Sequence, residues 1–214
     1  MKDSNLDLRN MDCMELMKEY GDNHFDLAIV DPPYGIDLAN MGMGAGKSKK
    51  ASKIENRGWK AKDWDKLTPT EEYFIELRRV SKQQVVWGGN YFELGACKHF
   101  IIWDKEIPVG LTFSDCEFAW TSFDGAQKMF RYSAYKNKSE KIHPTQKPPQ
   151  LYKWLLQNYA KEGDKILDTH LGSGSIACAC HDMHFDLVGS ELDRDYFEAM
   201  QKRIKEHKMQ LTLF

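Results

Sequence analysis

The sequence lacks any apolar run long enough to cross a bilayer, which excludes a helical membrane span. Its first ten residues, MKDSNLDLRN, lack the apolar core of a secretory signal, so a cytoplasmic protein is expected. Cysteine is sparse: five residues, odd in number and without framework spacing, argue against a disulfide scaffold and for a reducing compartment. An overall excess of charge is lacking too. The net charge of -2 points by itself neither to nucleic acid nor to a membrane surface. Internal repeats are absent. What is present is 214 residues with 42% hydrophobic content, enough for one domain (1–214) with a full core.

Charge is nonetheless unevenly spread. Lys47, Lys49, Lys50, Lys53, Arg57, Lys60 and Lys62 face a single acid, Glu55, and Trp59 lies among them, with Trp64 just beyond. A second segment carries Lys128, Arg131, Lys136, Lys138, Lys141 and Lys147 against Glu140, interleaved with Phe130, Tyr132 and Tyr135. Cations mixed with aromatics suit a phosphate backbone and unstacked bases. Two solvated loops would read the same way.

The elements alternate. FDLAIV (25–30) reads as a buried strand. TPTEEYFIELRRVS reads as a helix capped by Thr68, with Glu71 completing a capping box. QQVVWGG, HFIIWD and CEFAWTS are three short strands. PPQLYKWLLQNYAKEG is an amphipathic helix with Pro149 near its start and Gly163 past its end. KILD, SGSIACACHDM and FDLVGSE give strand, helix, strand, and DRDYFEAMQKRIKEHK is a final helix. Alternation of this kind predicts an α/β domain with a mostly parallel sheet. The irregular stretch 35–66 is too long for an ordinary connection and is expected to be a mobile functional loop.

Two strand ends carry chemistry. In KILDTHLGSGS a strand ends at Asp168, and Gly172 and Gly174 then open a helix. Glycines there admit a ligand to the backbone, and the helix start offers free N–H groups. The next strand ends in Glu191, an acid about 20 residues on, the position that commonly takes a ribose hydroxyl pair. In AIVDPPYGID (28–37) a strand meets an acid, a rigid Pro-Pro step and an aromatic, more than a simple turn requires.

Four segments together resemble a family: DPPYG (31–35), HPTQKP (143–148), LDTHLGSGS (167–175) and GSELDRDYF (189–197). In this order they are similar to the S-adenosylmethionine-dependent DNA amino-methyltransferases (N6-adenine / N4-cytosine), in the permuted beta-class arrangement. The resemblance covers almost the whole chain. It implies a Rossmann-like class I methyltransferase fold, a mostly parallel twisted sheet with helices on both faces. It implies S-adenosyl-L-methionine as cofactor and double-stranded DNA as partner, and leaves a homodimer open. Asp168, Gly172, Ser173 and Gly174 would hold the methionine end and Glu191 the ribose. Thr145 and Lys147 would border the same pocket, and Asp12, in NMDCMEL, would accept from the cofactor's adenine amino group. Where the family usually has phenylalanine, this chain has His170.

On this reading Asp31 and the carbonyl of Pro32 accept the two N–H groups of an exocyclic amine, stabilising charge that grows on its nitrogen. Tyr34 stacks on the extruded base. Lys47, Lys49, Lys50, Lys53 and Arg131 would contact DNA phosphates, and 104–141 would be an inserted target-recognition segment. Adenine N6 is the expected target. The alternatives are cytosine N4, or a catalytically weak nucleic-acid-binding protein of the same fold. GMGAGKS resembles a phosphate-binding loop, but Met41 stands where its first glycine belongs. Cys178, Cys180, His181 and His184 fall on diverging helix faces, so no metal is expected.

Overall fold

Strand burial alternates by face. In β2 (Phe25–Val30), Leu27 and Ile29 join one apolar cluster while Ala28 and Val30 join another. In β3 (Ser81–Trp87), Val85 and Trp87 follow the first pair and Val86 the second. A sheet buried on both faces needs helices on both. The computed structural model describes residues 4–36, 68–110, 114–133, 141–143 and 145–211. Lys47, Lys49, Lys50, Lys53, Trp59 and Trp64, and loop 35–66 beyond Ile36, lie outside the described residues.

The remaining strands are β1 (Leu6–Arg9), β4 (Phe100–Asp104), β5 (Cys116–Thr121), β6 (Lys128–Arg131), β7 (Lys165–Asp168) and β8 (Asp186–Ser190). They join β2 and β3 in one eight-stranded sheet, order β1-β8-β7-β2-β3-β5-β4-β6. The pairings from β1 through β3 are all parallel; β5 runs antiparallel to β3 and to β4, and β6 is parallel to β4. The expected α/β class and mostly parallel sheet are therefore observed, with an antiparallel turn at one end.

On one face lie α1 (Cys13–Lys18) and α2 (Glu71–Val80), contributing Leu16, Met17, Tyr73, Phe74 and Leu77. On the other lie α3 (Pro149–Tyr159), α4 (Ser175–Met183) and α5 (Arg194–Leu211), contributing Leu151, Leu155, Ile176, Met200 and Ile204. Trp87, Trp103 and Trp120 are buried in this core.

Three expectations change in detail. α2 is capped by Thr70 rather than Thr68, and without a side-chain hydrogen bond. α3 stops at Tyr159, four residues before Gly163, because Asp164 folds the chain back by accepting from the Lys161 amide at 2.8 Å. The segment 104–141 is not an insertion in the sheet's sense: β5 and β6 lie within it and are integral strands. Among the described residues, no helix is long and apolar enough to cross a membrane, and no group of three or more His, Cys, Asp or Glu is placed to hold a metal ion.

Candidate active site

β2 and β7 are parallel neighbours, registered through Leu27 with Ile166 and Ala28 with Leu167. Their carboxyl ends therefore emerge side by side, and each delivers an acid: Asp31 just after β2, Asp168 as the last residue of β7. Ligands of open α/β sheets bind at this edge. A cavity of about 470 Å³ opens there, with Asp12, Asp31, Thr145, Lys147, Gly172, Ser173 and Glu191 in its wall.

The glycine turn is held from three sides. Gly174 caps α4 with φ 70°, and a Cβ at that position would overlap Met200 of α5, so both the backbone and the packing call for glycine. Arg203 donates from Nη1 to the Ser173 carbonyl at 2.7 Å and to Ser175 Oγ at 3.0 Å. Glu191 accepts from the Gly172 amide at 2.8 Å and from the Asp193 amide at 2.9 Å, so the expected ribose acid also pins the turn. Gly174 and Asp168 are not themselves wall residues; Asp168 lies beneath the turn, buried, accepting from the His170 amide at 2.9 Å. Burial pushes its carboxyl up to about 8. Among the described residues it makes no ion pair, so burial leaves it a neutral acid near pH 7.

His170 replaces the aromatic of the resemblance in kind. Its ring packs edge-on against Tyr73, centroids 5.5 Å apart, and burial pushes its pKa down to about 4, so near neutrality it is an uncharged ring. Thr169 Oγ1 lies 2.9 Å from His170 Nδ1 and 2.6 Å from the Tyr73 hydroxyl, fixing the ring's rotation. Asp12 lines the cavity but is also a helix cap, accepting from the amides of Met14 at 2.8 Å and Glu15 at 3.2 Å.

Around Asp31 the chain supplies its own partners. The Tyr34 hydroxyl donates to Oδ1 at 2.5 Å, and the Lys147 ammonium is ion-paired with Oδ2. Lys147, 3% exposed, also lies 3.1 Å from Oε2 of Glu117, a charge contact without hydrogen-bond alignment. Lys105 approaches Oε1 of Glu117 at 3.4 Å. Burial works against the Lys147 charge, but Asp31 and Glu117 outweigh it and hold its pKa above the ordinary lysine range. Burial likewise opposes the Glu117 charge, yet Lys147 and Lys105 keep its carboxyl below the usual range. For Asp31, burial pushes the carboxyl up against the pull of Lys147.

The Tyr34 ring stacks on Tyr91 at 4.9 Å and 13°. A Cβ at Gly88, where φ is 69°, would run into that ring, so glycine gives the aromatic its seat. Pro32 is buried behind the turn, and its neighbour Pro33 reaches the cavity wall. Arg131 lies elsewhere, on edge strand β6, with Nε 3.3 Å from Asp104 Oδ2.

Sequence reading missed Glu117, Lys105, Tyr91 and Arg203. An acid inside the apolar strand CEFAWTS was the available signal for Glu117; nothing local marks the others. It also assigned Lys147 only to the cofactor pocket, whereas its ammonium reaches Asp31.

A family model described as DNA methylase matches residues 86–202, more than half of the chain. The type II methyltransferase M.HpaI of Haemophilus parainfluenzae is 35% identical over 75 residues, 35% of this chain and 24% of that protein. The type II methyltransferase M.HinfI of Haemophilus influenzae is 24% identical over 92% of this chain and 67% of its own length. The chain thus spans about a quarter of the first relative and about two thirds of the second. Among solved structures, the M1.HpyAVI–SAM complex shares the fold at TM-score 0.60 and 21% identity, covering 92% of this chain and 99% of that one. The cytosine-N4-specific PvuII DNA methyltransferase does so at TM-score 0.62 and 11% identity, covering 96% and 92%.

Proposed function

The chain belongs to the DNA methylase family, and from that premise we propose that it transfers a methyl group from S-adenosyl-L-methionine to the exocyclic amino group of an extruded base in double-stranded DNA, adenine N6 in particular. The observation that carries this reading is the pairing of two acids at adjacent strand ends, Asp31 half-buried with a protein cation and Asp168 buried without one.

The residues present fit the cofactor. Asp168, with no ion-pair partner among the described residues, suits the cationic methionine end of the ligand. The turn brings Gly172 and Ser173 to the wall, and His170 supplies a neutral flat ring. Glu191, assigned to the ribose, Asp12, assigned to the adenine amino group, and Thr145 line the same cavity. S-adenosylmethionine, when bound, supplies a methyl group already activated on a sulfonium centre. What remains for the protein is positioning and charge.

Asp31 accepts one N–H of the target amine and the Pro32 carbonyl, fixed by the Pro-Pro step, accepts the other. Two fixed acceptors favour a pyramidal nitrogen and stabilise the positive charge that develops on it. Tyr34 offers a face to the base. Lys47, Lys49, Lys50, Lys53 and Arg131 are assigned to phosphates, and the loops of 104–141 to target reading. The choice of adenine rests on the aspartate at position 31, which the resemblance associates with adenine enzymes. Nucleoside mass spectrometry of DNA from a methylation-deficient host expressing the chain tests it. N6-methyladenine is expected; N4-methylcytosine would overturn the base assignment, and no modified base in either form would overturn the activity.

A further inference from the structure

Lys147 sits where three parts of the chain meet. Its ammonium pairs with Asp31 after β2 and faces Glu117 of β5, while its backbone carbonyl accepts from Ser175 Oγ at 2.7 Å, in the first turn of α4. The Trp87 ring closes it in, 5.4 Å from the ammonium. A buried lysine this isolated from water is costly unless its anions are fixed in place. Here both are: Asp31 by the end of β2 and Glu117 by the β4–β5 pairing at Trp103 with Glu117.

Resting on the methyltransferase reading, we propose that Lys147 is a positioning residue for the target amine rather than a cofactor ligand, and that Glu117 is the counter-anion that keeps it at its post. Lys147 pulls the Asp31 carboxyl toward its ionised form against burial and orients Oδ2, favouring a carboxylate that accepts from the amine. Glu117 has the opposite electrostatic effect on Asp31, a like charge behind the lysine. The other groups that face this cluster are Lys105 after β4, Tyr34 in the Asp31 turn, Tyr73 of α2, Tyr152 of α3 and Asp168 of β7. The three tyrosines stay protonated across the working range, since burial raises them further. Through the Ser175 contact, the same lysine ties the glycine turn to the base acceptor.

The roles give opposite signs in a pH profile. Methyl transfer from tritiated S-adenosylmethionine to unmethylated bacterial DNA would be measured with the full chain from pH 5 to 9, with cofactor affinity followed by calorimetry. Lys147→Met should move the acid limb of the rate up by about one to three units, the effect of one close opposite charge on a carboxylate. Glu117→Gln should move it down by a smaller amount. Lys147→Arg should keep a limb near the wild-type position, and cofactor affinity should stay within about threefold in all three, half a decade on the affinity scale.

Should Lys147→Met not fold, the double variant K147M/E117Q removes one charge of each sign. Its limb should still lie above the wild type, because Lys147 is the nearer group. An unmoved limb in Lys147→Met or the double variant overturns the proposal. So does a tenfold loss of cofactor affinity with the limb in place, which would return Lys147 to the cofactor. Failure of the underlying reading looks different: the wild-type chain itself would transfer no methyl group to DNA.

Discussion

Asp31 and Asp168 occupy equivalent places, the carboxyl ends of two paired parallel strands, yet their electrostatic partners differ. Asp31 has a lysine from its own chain, and Asp168 has no ion-pair partner among the described residues. Burial alone would neutralise both carboxyls. The difference teaches which acid has a built-in cation opposing burial and which is left to be charged by what binds. The first suits an acceptor that must be anionic before the substrate arrives. The second suits recognition of a cation.

Removing each acid should separate the two roles. Asp31→Ala is expected to lower methyl transfer by about 10²–10³-fold or more, the range for losing a charge-stabilising group. Cofactor affinity should stay nearly unchanged, checked by turnover and calorimetry. Loss of cofactor binding in a folded Asp31→Ala protein would put the two acids in one pocket and end the comparison.

Asp168→Asn should weaken cofactor binding by about 10–100-fold, the loss of a charge-assisted bond at 1.4 kcal/mol per decade. It should also erase a proton signal. With a carboxyl near 8, the ligand-free protein holds a proton at pH 7 that a cationic ligand expels. Calorimetry in buffers of different ionisation enthalpy should therefore show close to one proton released per wild-type binding event, and none for the variant. The sign for stability follows from the same value. A carboxyl raised from its unfolded value near 4 to about 8 makes the ligand-free fold lose stability as pH rises through that window. Thermal melts of Asp168→Asn should be flatter there than those of wild type.

Glu191→Ala should lower cofactor affinity by roughly tenfold or more, since it loses both a ribose acceptor and the bond that pins Gly172. Glu191→Gln should fall between. The smallest effect belongs to Tyr91. Its stack on Tyr34 covers a face that the base would use, and aromatic pairs of this kind contribute about 0.5–1.5 kcal/mol. Tyr91→Ala should lower the KM for DNA by up to about tenfold while Tyr91→Phe leaves it near wild type; a raised KM in Tyr91→Ala would make Tyr91 part of the base's seat.

The fold was legible because its long elements carry period and punctuation: FDLAIV, the helix after Pro149, and the strand–glycine–helix unit at 165–183 stand where they were expected. β1 and β6 were not, because LDLR and KMFR are four residues each, the first only partly buried and the second mostly exposed; pairing with β8 and β4 makes them strands. The antiparallel order of β5 was hidden as well, since alternation gives no direction. At the site, residues in compact motifs could be named, but contacts across the sheet could not. Glu117 and Lys147 are thirty residues apart, and only the register of β5 beside β4 joins them.

The pairing of β1 with β8 has a consequence for synthesis. Leu6 lies beside Leu187 and Arg9 beside Ser190, so β1 waits for β8, the last strand of this sheet to be made. Asp31 waits likewise for Lys147, and the turn at Gly174 for Met200 and Arg203. While α5 is still inside the ribosome, Asp31 can already meet Lys147, but the glycine turn lacks its partners. A nascent chain at that stage should hold the glycine turn unbraced until α5 emerges, and apolar edges of the half-built sheet would be exposed meanwhile to chaperones.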